Sequence, residues 1–243
     1  MGVGKVMQIL KNLFQVSGDL NGLTRTCVDA GYEDANTYIL KRPGGLILFD
    51  CGCGETLEQI FANMRYWGLL PEEIKYCLLT HPHLDHTGAA AKLQKMGVKL
   101  IAHKETADAI AAGDERCCGY LYHKIFSPCV VDQVVSDNEI IDLFNVEIEV
   151  LHLPGHTMGC TAYLFNYENK RIVVSGDIIG TLLKDDFGWA GSIDFNKVEY
   201  LKSLQRFAKI DTDIMLPGHG LIYFHQPRRR VEQVLTAALE QWR

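Results

Sequence analysis

The sequence predicts an α/β protein in which sheets are covered by helices, folded as one compact domain over residues 1–243. Three observations point to this class. Apolar runs of strand length alternate with stretches of helical spacing from Thr37 to Ala112. From Val134 onward the pattern turns strand-rich and then ends in helices. No low-complexity linker, evident repeat or shift of composition divides the chain.

Gln8 to Val16 and Thr37 to Leu40 are expected strands. Gly44 to Asp50 carries Leu46-Ile47-Leu48-Phe49, a continuous apolar run of buried-strand length. Leu57, Ile60, Phe61, Met64 and Trp67 recur at helical spacing, and Gly68 suits the end of that helix. Tyr76 to Leu79 is a short strand leading into a His-rich loop, and Gly88 to Met96 is a helix starting just after it. Val98 to Ala102 follows as strand and Lys104 to Ala112 as helix. Further strands are expected at Glu139 to Leu143, Val146 to Leu153, Thr161 to Phe165 and Arg171 to Ser175, the last two joined by a turn at Asn169-Lys170. A helix from Lys197 to Ala208 places Val198, Leu201, Leu204 and Phe207 on one face. A strand at Asp213 to Leu216 and a helix from Pro227 complete the chain.

Two segments resist assignment. Residues 113–133 hold Cys117, Cys118, Tyr120, Tyr122, His123 and Cys129 without periodicity. Residues 181–194 hold Leu182, Leu183, Asp185, Asp186, Phe187, Trp189 and Gly191. Irregular stretches this long in a compact fold are expected to be lids or binding loops.

Composition narrows the function. Hydrophobic content of 47% with 22% charged residues describes an ordinary globular chain. A net charge of -6 argues against a nucleic-acid partner, which a basic face would recognise. The one basic cluster, Arg228-Arg229-Arg230, reads as a solvated helix start. No apolar run has the length of a membrane span, and no secretory leader is evident, so a cytoplasmic protein with no membrane partner is expected. The eight cysteines are then free thiols. None form a Cys-x-x-Cys pair, and Cys51-Gly-Cys53 and Cys117-Cys118 have poor spacing for zinc.

Chemistry concentrates in Thr80-His81-Pro82-His83-Leu84-Asp85-His86-Thr87-Gly88, where four metal-capable side chains fall within six positions. Imidazole and carboxylate suit Zn²⁺, or Fe or Mn. Three further candidates stand where a strand runs into a Gly-containing turn: His156 in Leu153-Pro154-Gly155-His156, Asp177 after Ser175-Gly176, and His219 in Leu216-Pro217-Gly218-His219. His103 reads as structural, His152 should face away from Leu151 and Leu153, and His123 and His225 are not assigned as ligands.

In this order and spacing, His81-x-His83-x-Asp85-His86 with His156, Asp177 and His219, the chain resembles the metallo-β-lactamase superfamily over nearly its whole length. Asn36 and the Asp50-x-Gly52 turn are similar to the family's early elements. The resemblance implies a four-layered αββα sandwich with metal at one edge of the sheets. It places His81, His83 and His156 on one ion and Asp85, His86 and His219 on a second, with Asp177 bridging. Two divalent ions are implied, zinc first, iron or manganese as alternatives. Asp50 is either an acceptor for a ligand imidazole N–H or a strand-end aspartate in a glycine turn.

The expected activity is a dinuclear hydrolase that uses a bridging hydroxide, oriented by Asp85, to cleave an ester, thioester or lactone bond of a small molecule. No Gly-x-Ser-x-Gly elbow offers another nucleophile. True β-lactamases of the superfamily lack the bridging aspartate and are secreted. Glyoxalase II-like thioesterases share the ligands but add a helical glutathione-binding region, whereas 24 residues follow His219 here. RNA-processing members carry a basic arm, and flavodiiron members need an acid where His83 stands. A persulfide dioxygenase, with one iron on His81, His156 and Asp177, is the alternative. A phosphodiesterase and a non-catalytic binding scaffold come after it. Tyr120, Tyr122, Phe187 and Trp189 are candidate pocket walls; the oligomeric state is not legible.

Overall fold

The computed structural model describes residues 7–18, 34–180 and 189–242. Seven strands form the first sheet, side by side in chain order: β1 (Gln8–Leu10), β2 (Leu13–Ser17), β3 (Thr37–Arg42), β4 (Gly45–Phe49), β5 (Ile74–Leu78), β6 (Lys99–His103) and β7 (Gln133–Val135). The first four pair antiparallel, and β4 to β7 pair parallel. Parallel neighbours need crossovers, which α1 (Leu57–Tyr66), the short α2 (Leu84–Thr87) with α3 (Ala90–Lys95), and α4 (Lys104–Ala112) supply. The second sheet runs in the order β12 (Ile214–Pro217), β11 (Lys170–Gly176), β10 (Thr161–Tyr167), β9 (Glu147–His152), β8 (Ile140–Asp142). Helices α5 (Lys197–Phe207) and α6 (Pro227–Gln241) follow it in the chain around β12.

Strand alternation divides the core into three seams. In β4, Leu46 and Leu48 point to Ile60, Phe61 and Met64 of α1 and to the other helices of the first sheet. Ile47 and Phe49 point the other way, into a middle seam with Val150, Tyr163, Phe165 and Ile172 of the second sheet. Phe49 and Phe165 stack there at 5.6 Å and 8°. The far face of the second sheet offers Leu151, Leu164, Val173 and Met215 to Tyr200, Leu204, Phe207, Val231 and Val234 of the last two helices. The order of layers is therefore helices, sheet, sheet, helices: the αββα sandwich.

Several elements differ from the sequence-based expectation in ways that have local causes. Gln8 to Val16 is a hairpin rather than one strand, because Asn12 takes a left-handed φ of 63° and turns the chain. The helix expected from Gly88 to Met96 is α3, Ala90–Lys95, and a separate single turn, α2, precedes it and ends at Thr87, whose hydroxyl bonds back to the Pro82 and His83 carbonyls. The β10–β11 turn is Glu168-Asn169, both at positive φ, and Lys170 already pairs with Tyr167. On α5 the buried stripe is Tyr200, Leu204 and Phe207, leaving Val198 exposed. Residues 113–133 contain two short 3₁₀ turns, Glu115–Cys117 and Gly119–Tyr122. Leu182, Leu183, Asp185, Asp186 and Phe187 lie outside the described residues.

Seven of the eight cysteines are described, and all seven are buried free thiols. Among the described residues no helix is long and apolar enough to cross a membrane.

What matters for function is the edge where strands β4, β5, β9, β11 and β12 all end. The two sheets are stitched together there. Tyr163 Oη donates to the Leu79 carbonyl at 2.8 Å, and the Thr161 amide to the Thr80 carbonyl at 2.8 Å. Asn36 Nδ2 donates to the carbonyls of Pro217 (3.0 Å) and Gly220 (3.1 Å). Loops leaving this edge are anchored to one another, which gives side chains on them a fixed geometry.

Candidate metal centre

Each candidate side chain is delivered by a strand that stops at this edge. Beyond β5, Thr80 and His81 leave the sheet, His83 precedes α2, and Asp85 and His86 ride on its single turn. His156 follows β9 through a turn that requires glycine: Gly155 has φ +141°, and a Cβ there would lie 2.3 Å from the Tyr200 Cα. Asp177 directly follows β11, and His219 follows β12 by two residues.

The seven residues converge. Nitrogen atoms of His81, His83 and His156 form one cluster, and ligand atoms of Asp85, His86 and His219 form another, each within 4.8 Å. Asp177 lies between them: Oδ2 is 3.9 Å from His81 Nε2, 3.6 Å from His156 Nε2 and 3.4 Å from His219 Nε2, while Oδ1 is 3.3 Å from His86 Nε2. Asp85 Oδ2 is 3.0 Å from His219 Nε2 and 3.5 Å from His86 Nε2. All are buried except Asp177, partly covered, and His219, whose side chain is 42% exposed.

The outer nitrogen of each buried imidazole meets an acceptor, either a carboxylate or carbonyl or a hydroxyl whose own proton is given elsewhere, which decides where its proton sits. His86 Nδ1 is 2.8 Å from Asp50 Oδ2. Thr80 Oγ1 gives its proton to the same carboxylate and therefore accepts from His81 Nδ1 at 3.1 Å. His156 Nδ1 donates to the Trp189 carbonyl at 2.8 Å. Ser192 Oγ gives its proton to Asp194 Oδ1 at 2.6 Å and so accepts from His83 Nε2 at 3.3 Å. Asp50 is thus the acceptor behind a candidate ligand, the first of its two expected roles.

Proton placement outside leaves lone pairs inside. His156 Nε2 and His83 Nδ1 face each other at 3.2 Å. His81 Nε2, His86 Nε2 and Asp177 Oδ1 are buried without any hydrogen-bond partner. Buried polar atoms are nearly always satisfied, and those that are not need an explanation. A cation is the partner that inward lone pairs and carboxylates share, so the donor set fits divalent metal.

Charge agrees with the inward lone pairs at the three-histidine cluster, while the carboxylates of the other cluster attract positive charge. Burial lowers His81 and His156 and takes His83 down to about 3, keeping these three imidazoles neutral and able to coordinate. Burial also opposes charge on His86 and His219, but the carboxylates of Asp177 and Asp85 outweigh it and raise both. Asp85 stays ionised, at about 2, against its own burial because His86 and His219 adjoin it.

A cavity of about 360 Å³ opens on this cluster, lined by His83, Asp85, His156, Asp177 and His219 with Leu121, Tyr122, Ile179, Gly180 and Trp189. Burial, and then the neighbouring Asp85 carboxylate to which it hydrogen-bonds, raise the Tyr122 hydroxyl far above the usual phenol range, so it remains a donor. Of the expected pocket walls, Tyr122 and Trp189 line the cavity. Tyr120 sits outside it, with its hydroxyl 3.4 Å from the Gly191 carbonyl. His103 and His152 stack on each other at 3.7 Å away from this cavity, and His123 and His225 do not line it. Sequence reasoning gave Thr80 no role within its motif and missed Ser192, Asp194, Leu121 and Ile179, which carry no motif of their own.

Comparison with known proteins shows the family and the fold. The model of the metallo-beta-lactamase superfamily matches residues 30–219. An atrochrysone carboxyl ACP thioesterase of Aspergillus fumigatus is 27% identical over 216 residues, covering 84% of this chain and 60% of that protein. A beta-lactamase-like protein 2 homolog of Drosophila melanogaster is 28% identical over 218 residues, 84% of this chain and 64% of its own. The chain therefore spans less than two thirds of either relative. Among solved structures, a motif mutant of a metallo-beta-lactamase from Cronobacter sakazakii superposes with a TM-score of 0.77 at 22% identity, covering 98% of this chain and 96% of that one.

Proposed function

Because this chain belongs to the metallo-beta-lactamase superfamily, we propose that it is a dinuclear metal-dependent hydrolase of ester, thioester or lactone bonds in small molecules. The observation that carries the proposal is the inward set of lone pairs on seven converging side chains, three of whose atoms are buried and unpartnered. His81, His83 and His156 would hold one ion, Asp85, His86 and His219 the other, and Asp177 both. Zinc is the first candidate, iron or manganese the next. Such ions supply Lewis acidity and bring the pKa of a bound water toward neutrality.

The remaining work falls to the chain's own groups. Asp85 is ionised and lies on the cavity wall, placed to orient a water by accepting its hydrogen bond. Tyr122 keeps its proton and, by its hydrogen bond to Asp85, fixes that carboxylate at the cavity wall. Leu121, Ile179 and Trp189 form apolar walls suited to an acyl group and to excluding bulk water. A thioester of an apolar acyl group fits this lining, and the activity named for the Aspergillus relative supports it.

A panel of acyl thioesters, esters, lactones, β-lactams and phosphodiesters, offered to zinc-loaded protein, tests the reading. Turnover of an apolar acyl thioester, ester or lactone at kcat/KM above about 10⁴ M⁻¹s⁻¹ is expected. Oxygen uptake with glutathione persulfide on a single iron, with no hydrolysis, would overturn it.

Gly218 gives a second test. A Cβ there would lie 2.1 Å from Asp177 Oδ1 and 2.7 Å from His86 Cε1. Gly218→Ala is expected to displace the Asp177 carboxylate and lower zinc capacity by about one equivalent in equilibrium dialysis. Wild-type capacity in that variant would show that Asp177 does not hold metal from its observed position.

A further inference from the structure

The segment that follows the undescribed residues 181–188 crosses back over the three-histidine cluster and bonds to both of its loops. The Trp189 carbonyl accepts from His156 Nδ1 at 2.8 Å, and the Trp189 ring meets His83 edge to face at 6.2 Å. Ser192, buried at 7% exposure, accepts from His83 Nε2 and donates to Asp194 Oδ1. The other oxygen of that carboxylate, Oδ2, accepts from the Met158 amide at 2.9 Å, two residues past His156. The Asn196 amide donates to the Gly155 carbonyl at 2.9 Å, on the other side of His156.

This is a copy in function of the arrangement at Asp50. There a hydroxyl, Thr80, relays a carboxylate to His81, while the carboxylate itself meets His86. Here a hydroxyl, Ser192, relays a carboxylate to His83, while the carboxylate itself pins the His156 turn. Without Ser192, His83 can carry its proton on either nitrogen. The tautomer with the proton on Nδ1 points that proton at His156 Nε2 and cannot bind metal through Nδ1.

We infer that Ser192 and Asp194 are positioning residues for the ion at His81, His83 and His156, holding His83 in its metal-binding tautomer and His156 in place. The inference rests on the dinuclear reading above and predicts a selective effect, because neither residue bonds to Asp85, His86 or His219 among the described contacts. Trp189 also lines the cavity, so the same segment joins the substrate wall to the metal ligands.

Zinc affinities are measured by competition with a chromophoric chelator on metal-free wild type, Ser192→Ala, Asp194→Asn and Ser192→Thr. Thermal unfolding of the metal-free forms reports whether each variant is folded. The expected result is one equivalent weakened about 10–100-fold in Ser192→Ala and Asp194→Asn, the other unchanged, and recovery in Ser192→Thr, which restores the hydroxyl. Two unchanged equivalents, or equal weakening of both, would overturn the inference. A wild-type protein that binds one equivalent contradicts the dinuclear reading instead. The inference then stands if Ser192→Ala weakens that ion and falls if it does not.

Discussion

His81→Ala is expected to lower kcat/KM by at least about a thousandfold, roughly 4 kcal/mol of transition-state stabilisation, while the chain still folds. His81 is completely buried, and its Nε2 has no partner among the protein groups. Its imidazole stands 4.0 Å from the His86 ring and is aimed at Asp177. It belongs to the cluster that would hold one ion and to a second grouping with His86 and Asp177, so its loss disturbs both sides of the centre. Folding depends on it much less. Among the described residues its side chain makes one hydrogen bond, accepted by Thr80 Oγ1, which keeps its own bond to Asp50 when the ring is gone. A stability cost of about 1–2 kcal/mol follows from that bond and the partly filled space. Steady-state kinetics beside urea unfolding separate the two effects. Retention of wild-type activity would refute the site.

Asp50→Ala reverses that balance, with the larger effect on stability. Asp50 is 1% exposed and satisfies three donors at 2.8 Å each: the Thr80 amide, Thr80 Oγ1 and His86 Nδ1. Alanine leaves all three buried and unpaired beside a histidine that the surrounding carboxylates keep prone to protonation. Removing one member of a buried, hydrogen-bonded pair costs about 3–5 kcal/mol. Position 50 also has a φ of 55°, which aspartate and asparagine tolerate better than alanine. A fall of about 10 °C in melting temperature is expected for a chain of this size. Asp50→Asn keeps the shape and one acceptor and should lose less. A melting temperature for Asp50→Ala within about 2 °C of wild type would contradict the role assigned to this carboxylate.

The parts of the centre that were legible in the sequence are those whose side-chain type is itself the signal. Histidine and aspartate at His81, His83, Asp85 and His86 have few reasons to crowd one loop, and His156, Asp177 and His219 each follow a strand whose apolar run can be read. The parts that were not legible act through ordinary groups. Ser192 and Asp194 are common polar residues in a stretch without periodicity, and their bonds to His83 and Met158 span 109 and 36 residues. The acceptor for His156 is a backbone carbonyl, which any residue at position 189 would provide. The fold shows the same division. The alternation of Leu46, Ile47, Leu48 and Phe49 between two seams follows from strand geometry, but which helix covers which face depends on long-range packing. The break between α2 and α3 depends on long-range contacts: the Asp85 and His86 carbonyls accept from the Ala35 and Cys51 amides, and the Ala89 amide donates to the Gly52 carbonyl.

Two ions held by seven side chains are the core of the proposed function. The direct test is anomalous diffraction at the zinc edge from crystals of the zinc-loaded protein. Two peaks about 3.5–4 Å apart are predicted, one among His81, His83 and His156 and one among Asp85, His86 and His219, with Asp177 touching both. A single peak, or none, in fully loaded crystals would contradict it.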